Sequence, residues 1–143
     1  MSEMKAILVA VDGSENSDRA VAHALELIAG GLATELHFLN VQPNFGGAVS
    51  AFVDREAIDS YRRDEGNKAL ASAIELAKKA GVAAKIHIGV GRTGAVVKDF
   101  AKKLRAGTVI MGTRGHTGLA GVLLGSVAQD VIAHVGVPVT LVK

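Results

Sequence analysis

The chain has 143 residues, 49% of them apolar, with 16 Lys and Arg against 14 Asp and Glu for a formal charge of +2. That length suits one domain, residues 1–143, with a core large enough to need no staples. With no cysteine, a disulfide framework, a thiol nucleophile and a thiolate metal site are all excluded, which fits a reducing cytoplasmic setting.

In chain order, residues 5–11 are almost wholly apolar and short, as a parallel strand covered on both faces should be. The strand breaks at Asp12-Gly13-Ser14, and a helix is expected over 17–29, with Gly30-Gly31 stopping it. Ser14 is placed to cap that helix, and Asp12 either bonds turn amides near Ser14 or meets a ligand. A second strand spans 34–41, and the loop over 42–52 carries Pro43, Asn44 and Gly46-Gly47. A long charged helix follows over 54–79, with Tyr61, Ala69, Ala73, Ile74 and Ala77 as its candidate buried side. A third strand is expected over 83–90, and Gly91-Arg92-Thr93-Gly94 turns the chain into a short helix over 95–104. Gly107 precedes a fourth strand centred on 108–111; a glycine-rich loop then spans 112–124, and the last helix runs over 126–135. The final strand, 136–142, has Pro138 near its start, where the missing N–H suits an edge or a strand beginning.

Strands alternating with helices imply a parallel sheet covered on both faces, with binding at the strands' carboxyl ends. Three loops meet there: Asp12 after the first strand, Gln42-Pro43 after the second and Gly112 after the fourth. The densest signal is Gly112, Gly115, nine intervening residues, then Gly125-Ser126, set between a buried strand and a helix. Such a loop can gather backbone N–H groups around a phosphate. Gly112 and Gly115 would allow positive dihedrals and close approach, and Gly125 would open the last helix to phosphate oxygens. Ser126 would add a hydroxyl donor or cap the helix, and Arg114 would neutralise a terminal phosphate. A carboxylate at Asp12 repels phosphate unless a cation intervenes, so ribose hydroxyls or Mg2+ are its sensible partners.

Other chemistries lack their residues. His23, His37, His87 and His134 show no ligand spacing, and neither a Walker phosphate loop, a dinucleotide fingerprint nor a nucleophile elbow occurs. Lys78-Lys79 and Lys102-Lys103-Arg105 sit where helix C-termini favour cations, and aromatics are 3% with no Trp, so nucleic acid is not an expected partner. The opening Met1-Ser2-Glu3-Met4-Lys5 leads directly into strand-like sequence rather than a leader, and no apolar run approaches a membrane span.

The glycine pattern resembles the nucleotide-binding signature of the universal stress protein family. Ile7-Leu8-Val9-Ala10-Val11-Asp12-Gly13-Ser14 with Ala20 resembles that family's opening, and Val137-Pro138-Val139-Thr140-Leu141-Val142 its ending. The resemblance implies a five-stranded parallel sheet in the order 3-2-1-4-5 with helices on both faces, of the adenine nucleotide alpha hydrolase type. It also implies ATP, ADP or AMP as ligand, with Mg2+ as an accompanying ion. Asp12 would approach the ribose or the phosphate-bound metal, Val41 would line the adenine, and Gly112, Gly115, Gly125 and Ser126 would hold ribose and phosphates. Thr93 stands where the family often has proline. The resemblance further implies a homodimer, and the apolar strand at 137–142 supplies a physical motive, since pairing with its copy would cover an open edge. The sequence offers a phosphate cradle but no obvious base beside it. A regulatory stress-response module is therefore expected, with a slow ATP hydrolase or a ligand-free dimeric partner as alternatives.

Overall fold

The computed structural model describes residues 5–44, 54–114 and 124–143. In chain order its elements are β1 (Ala6–Ala10), α1 (Glu15–Ala29), β2 (Glu35–Gln42), α2 (Arg55–Lys79), β3 (Ala84–Val90), α3 (Thr93–Lys103), β4 (Ala106–Gly112), α4 (Ser126–His134) and β5 (Val139–Val142). The strands form one parallel sheet in the order β3-β2-β1-β4-β5.

Alternation along the strands divides the core between the two sheet faces. Ile7, Val9, Leu36, Phe38 and Ile110 face α1 and α2, meeting Val21, Ala24, Leu70 and Ala73. Leu8, Leu39, Val109 and Met111 face α3 and α4, meeting Val97, Ala101, Ala128 and Val131. Because both faces are covered, β1 reads as continuous apolar sequence rather than an alternating pattern. Each fully buried Leu, Ile, Val or Phe contributes roughly 1.5–3 kcal/mol, so these two layers dominate the fold's stability.

Several boundaries differ from the sequence reading, each for a visible reason. The first helix begins at Glu15, because the Ser14 side chain accepts the Ser17 N–H at 3.1 Å and caps it there. Gly107 lies inside β4: Ala6 pairs with Ala106 but Ile7 pairs with Thr108, so Gly107 is the extra residue of a bulge. The last strand starts at Val139, while the Pro138 carbonyl still accepts the Val109 N–H at 2.9 Å.

Tyr61 and Ile74 are exposed, at 53% and 40%, not buried. The inward face of α2 is Ile58, Gly66, Leu70, Ala73 and Ala77, so Ala73 and Ala77 lie where expected and Ala69 is half-buried. Glycine and alanine carry much of that face, so hydrophobicity marks it poorly. A Cβ on Gly66 would stand 2.6 Å from Ile88 Cδ1, and the missing side chain is what lets α2 lie against β3. Among the described residues, no helix is long and apolar enough to cross a membrane.

His37 on β2 and His87 on β3 stack with ring centroids 5.2 Å apart, and His37 Nδ1 stands 2.9 Å from His87 Nε2. The other His37 nitrogen, Nε2, is buried without a hydrogen-bond partner. A proton there would be an unsatisfied buried donor, so the bond geometry puts the proton on His37 Nδ1, donating to His87 Nε2. Protonating His87 at Nε2 removes the acceptor of that bond, and protonating His37 at Nε2 creates the unsatisfied buried donor. Both pKa values are accordingly lowered, chiefly by burial, with Lys85 lowering both, His37 and Lys103 also lowering His87, and Glu35 opposing the shift at His37.

Folded-state values below the unfolded value near 6.5 mean that the unfolded chain takes up protons first on acidification. Stability is therefore complete above about pH 6.5 and falls as pH drops through it. Thermal unfolding at about pH 5.5 should begin at a lower temperature than at about pH 7.5, and His87→Gln should narrow that gap. An unchanged gap in the variant would show that this pair is not its source.

Candidate functional site

The chain lays β2 and β3 on one side of β1, then returns to the other side for β4 and β5. The reversal between β1 and β4 leaves a crevice at their carboxyl ends, the usual ligand position in an open α/β sheet. Helix N-termini point at the same edge, so unsatisfied backbone N–H groups gather there.

On the β1 side, Asp12 forms a tight local turn. Its Oδ1 accepts the Ser14 N–H at 2.9 Å, and its own N–H donates to Ser17 Oγ at 3.1 Å. Gly13 adopts a left-handed φ of 82°, and a Cβ there would lie 3.1 Å from the Ala69 carbonyl of α2. Glycine is required at this point.

Asn16, 6% exposed in the first turn of α1, ties three elements together. Its Nδ2 donates to the Val142 carbonyl at the end of β5 at 2.7 Å, and its Oδ1 accepts the Arg114 N–H at 2.7 Å. The Val142 carbonyl also accepts the Thr113 N–H at 3.0 Å. Removing the Asn16 amide would leave the Arg114 N–H without this partner and cut the tie from α1 to β5, while the Val142 carbonyl would keep the Thr113 N–H.

The reason for Gly112 therefore changes. Its φ is not in the left-handed region, contrary to the sequence expectation, and a Cβ would stand 2.6 Å from Asn16 Oδ1. Glycine at 112 makes room for the Asn16 clasp.

Across the edge lies a cleft of about 440 Å³. Val41 and Pro43 line it from the end of β2, Gly91, Arg92 and Thr93 from the β3–α3 turn, and Ser126, Val127 and Asp130 from α4. Two helix N-termini border this space, and they are treated differently. At α3, the N-cap residue Arg92 supplies no side-chain cap; instead Asp130 reaches over from α4, its Oδ2 accepting the Gly94 N–H at 2.7 Å. A Cβ on Gly94 would clash with Asp130 at 2.6 Å, so the glycine admits the carboxylate.

The other oxygen, Asp130 Oδ1, lies 2.9 Å from Arg92 Nη2 and 3.3 Å from His134 Nδ1. Oδ1 has no partner in hydrogen-bond geometry, so the Arg92 contact is ionic rather than directional. The Gly94 N–H and then Arg92, with His134 adding to them, hold the Asp130 carboxyl below the usual range against the opposing effect of burial. It is an anion already seated at a helix N-terminus.

At α4 no comparable contact occurs among the described residues. The N-cap is Gly125, with φ −70° and ψ 161°, and no described side chain caps the helix. The expectation that Ser126 might cap it is corrected: Ser126 is the first helical residue, one position too late for its hydroxyl to cap, and it is exposed on the cleft. Gly125 donates its N–H to the Thr113 carbonyl at 2.7 Å, which anchors the start of α4 beside the end of β4. Its backbone is open to any residue, and a Cβ would sit 3.3 Å from the Thr113 carbonyl.

Of the residues singled out from sequence, Val41 and Ser126 line the cleft and Gly125 opens the helix bordering it. Asp12, Gly112 and Arg114 gather with α1 at the strand-order reversal, outside the cleft lining. Gly115 lies outside the described residues. Asn16, Arg92 and Asp130 were not anticipated. Asp130 and Gly94 are 36 residues apart, and no local spacing rule joins them. Asn16 follows the cap Ser14 by two positions, a place where a buried amide has no sequence signature.

Fold and site together define an open, parallel α/β domain with an uncapped helix N-terminus on a cleft at its ligand edge. The chain belongs to the universal stress protein family, whose sequence profile matches residues 3–143. A universal stress protein of Methanocaldococcus jannaschii is 36% identical over 97% of this chain and 82% of its own length. A universal stress protein solved in complex with cAMP is similar with a TM-score of 0.74 and 27% identity, covering 99% of both chains. Another, from Archaeoglobus fulgidus in complex with dAMP, has a TM-score of 0.68 and 25% identity, covering 99% of this chain and 100% of its own.

Proposed function

We infer that this protein is an adenine-nucleotide-binding regulatory module of the stress-response type, belonging to the branch of the family that takes ATP or its shorter relatives. The observation that carries this reading is the asymmetry of the two helix N-termini on the cleft. One is filled by the chain's own Asp130, while α4 opens without a capping side chain among the described residues. A helix N-terminus without an internal acceptor is an anion site, and the dipole adds about 0.3–1 kcal/mol before specific hydrogen bonds. The cleft volume of about 440 Å³ and the apolar wall at Val41 and Pro43 suit a nucleoside. The relatives in complex with cAMP and dAMP support an adenine nucleotide in particular.

On this reading the phosphates meet the Ser126 and Val127 amides, with Gly112, Gly115 and Arg114 completing their surround. Val41 contacts the base. Asp12 has one carboxylate oxygen engaged by Ser14, and it would face ribose hydroxyls or a phosphate-bound Mg2+. The single carboxylate among the cleft's lining residues, Asp130, is engaged by Gly94 and Arg92 and is not poised to activate water. Binding is therefore favoured over hydrolysis.

Calorimetric titration with AMP and ATP, with and without Mg2+, tests the reading. The wild type should bind at micromolar to low millimolar concentration. Gly125→Val, whose β-branched side chain crowds the approach to the α4 amides, should bind at least about tenfold more weakly while remaining folded. Failure of the wild type to bind either nucleotide would remove the proposal.

A second copy of the chain is the proposed protein partner. β5 stands at the edge of the sheet, half-buried, with only β4 beside it among the described residues. Pairing over residues 137–142 would cover that edge. Sedimentation at micromolar concentration should give a dimer, and a monomer throughout would count against this contact.

A further inference from the structure

Arg92 and Asp130 both line the cleft, and neither belongs to the glycine pattern. Asp130 lies four residues along α4 from Ser126, about 6 Å deeper on the same helix. Its carboxylate is fixed at both ends, Oδ2 by the Gly94 N–H at 2.7 Å and Oδ1 by Arg92 at 2.9 Å. Paired with Arg92 and the Gly94 N–H, Asp130 leaves that end of the cleft with neither net positive charge nor an open α3 amide to draw a phosphate, and a neutral ring is accommodated there. The cleft thus has a direction: the anionic tail belongs at the start of α4, and the uncharged end of a ligand belongs by Asp130.

Arg92 stands at that uncharged end. Its side chain is 73% exposed, yet the contact with Asp130 restrains the guanidinium at one nitrogen. The remaining donors and the flat face of the guanidinium are not consumed by that contact. Gly91 ties the same turn to β2, its N–H donating to the Gln42 carbonyl at 3.0 Å, so Arg92 rises next to the Val41 and Pro43 wall. Planar cation, apolar wall and excluded phosphate together describe a slot for a flat, neutral aromatic ring.

We propose that Arg92 recognises the base of the nucleotide by laying its guanidinium plane on the ring, and that Asp130 is the positioning residue that holds it there. This rests on the adenine-nucleotide reading and assigns that site's base-contacting cation. Arginine planes stack on aromatic rings with useful strength, and a restrained guanidinium loses less freedom on doing so.

The test is calorimetry with adenosine, AMP and ATP on wild type, Arg92→Ala, Asp130→Asn and the double variant. Removing a stacked cation should weaken all three ligands by the same factor, about tenfold. Asp130→Asn keeps an acceptor for Gly94 but loses the ionic hold on Arg92, so it should weaken binding less. It should add nothing once Arg92 is gone, which a merely structural role would not produce. Thermal unfolding of Arg92→Ala should match the wild type. A loss confined to AMP and ATP would make Arg92 a phosphate ligand and overturn the proposal, as would unchanged affinity or additive losses in the double variant. If the wild type binds none of the three, the adenine-nucleotide reading itself fails and this assignment falls with it.

Discussion

A helix cannot begin without leaving backbone N–H groups that need acceptors, and at the carboxyl edge of this sheet that requirement is met in three ways. Ser14 satisfies α1 locally, through its own hydroxyl. Asp130 satisfies α3 from a neighbouring helix, at the price of a glycine at 94 to let it in. Helix α4 begins at Gly125, which has no side chain to offer. The first two ends are closed by the protein's own atoms; among the described residues neither α2, away from the cleft lining, nor α4, which borders it, has a side-chain cap. The ligand chemistry argued above is a consequence of that difference.

Holding such an edge in place falls to the core and to one clasp. The two apolar layers fix the strands, and with them the starting points of every loop at the edge. Asn16 then joins the start of α1 to the end of β5 and to the chain leaving β4, using both ends of one amide. The clasp also places Arg114 against α1. Gly112 and Gly94 serve the same purpose at different points, each removing a Cβ so that a polar side chain can reach backbone. The glycines of this edge are thus partly a record of internal polar contacts.

Much of the architecture was legible because its signals are local. The apolar run at 6–11, the turn at Asp12-Gly13-Ser14, and Gly30-Gly31 and Gly81 after α1 and α2 mark elements without reference to the rest of the chain. On the inward face of α2, Ala73 and Ala77 were legible but Ile58, Gly66 and Leu70 were not, because a face built largely of small residues leaves no hydrophobic stripe to follow. Strand order came from resemblance, since nothing in a single strand tells which neighbour it will have. At the site, the strand–loop–helix pattern pointed to Gly125-Ser126, and Val41 came from the family resemblance. Asn16, Arg92 and Asp130 could not, because each acts through a contact made only after the sheet has assembled. His37 and His87 show the same limit: 50 residues apart, they become a hydrogen-bonded pair only in the register of β2 with β3.

The central claim is that α4, not α3, offers its opening amides to an anion. It is tested most directly by amide nuclear magnetic resonance during titration with AMP, following Ser126 and Val127 against Gly94. The account predicts large, saturating downfield shifts at Ser126 and Val127 and a much smaller response at Gly94, whose N–H already has a carboxylate partner. A dominant response at Gly94 with Ser126 and Val127 unmoved would contradict it.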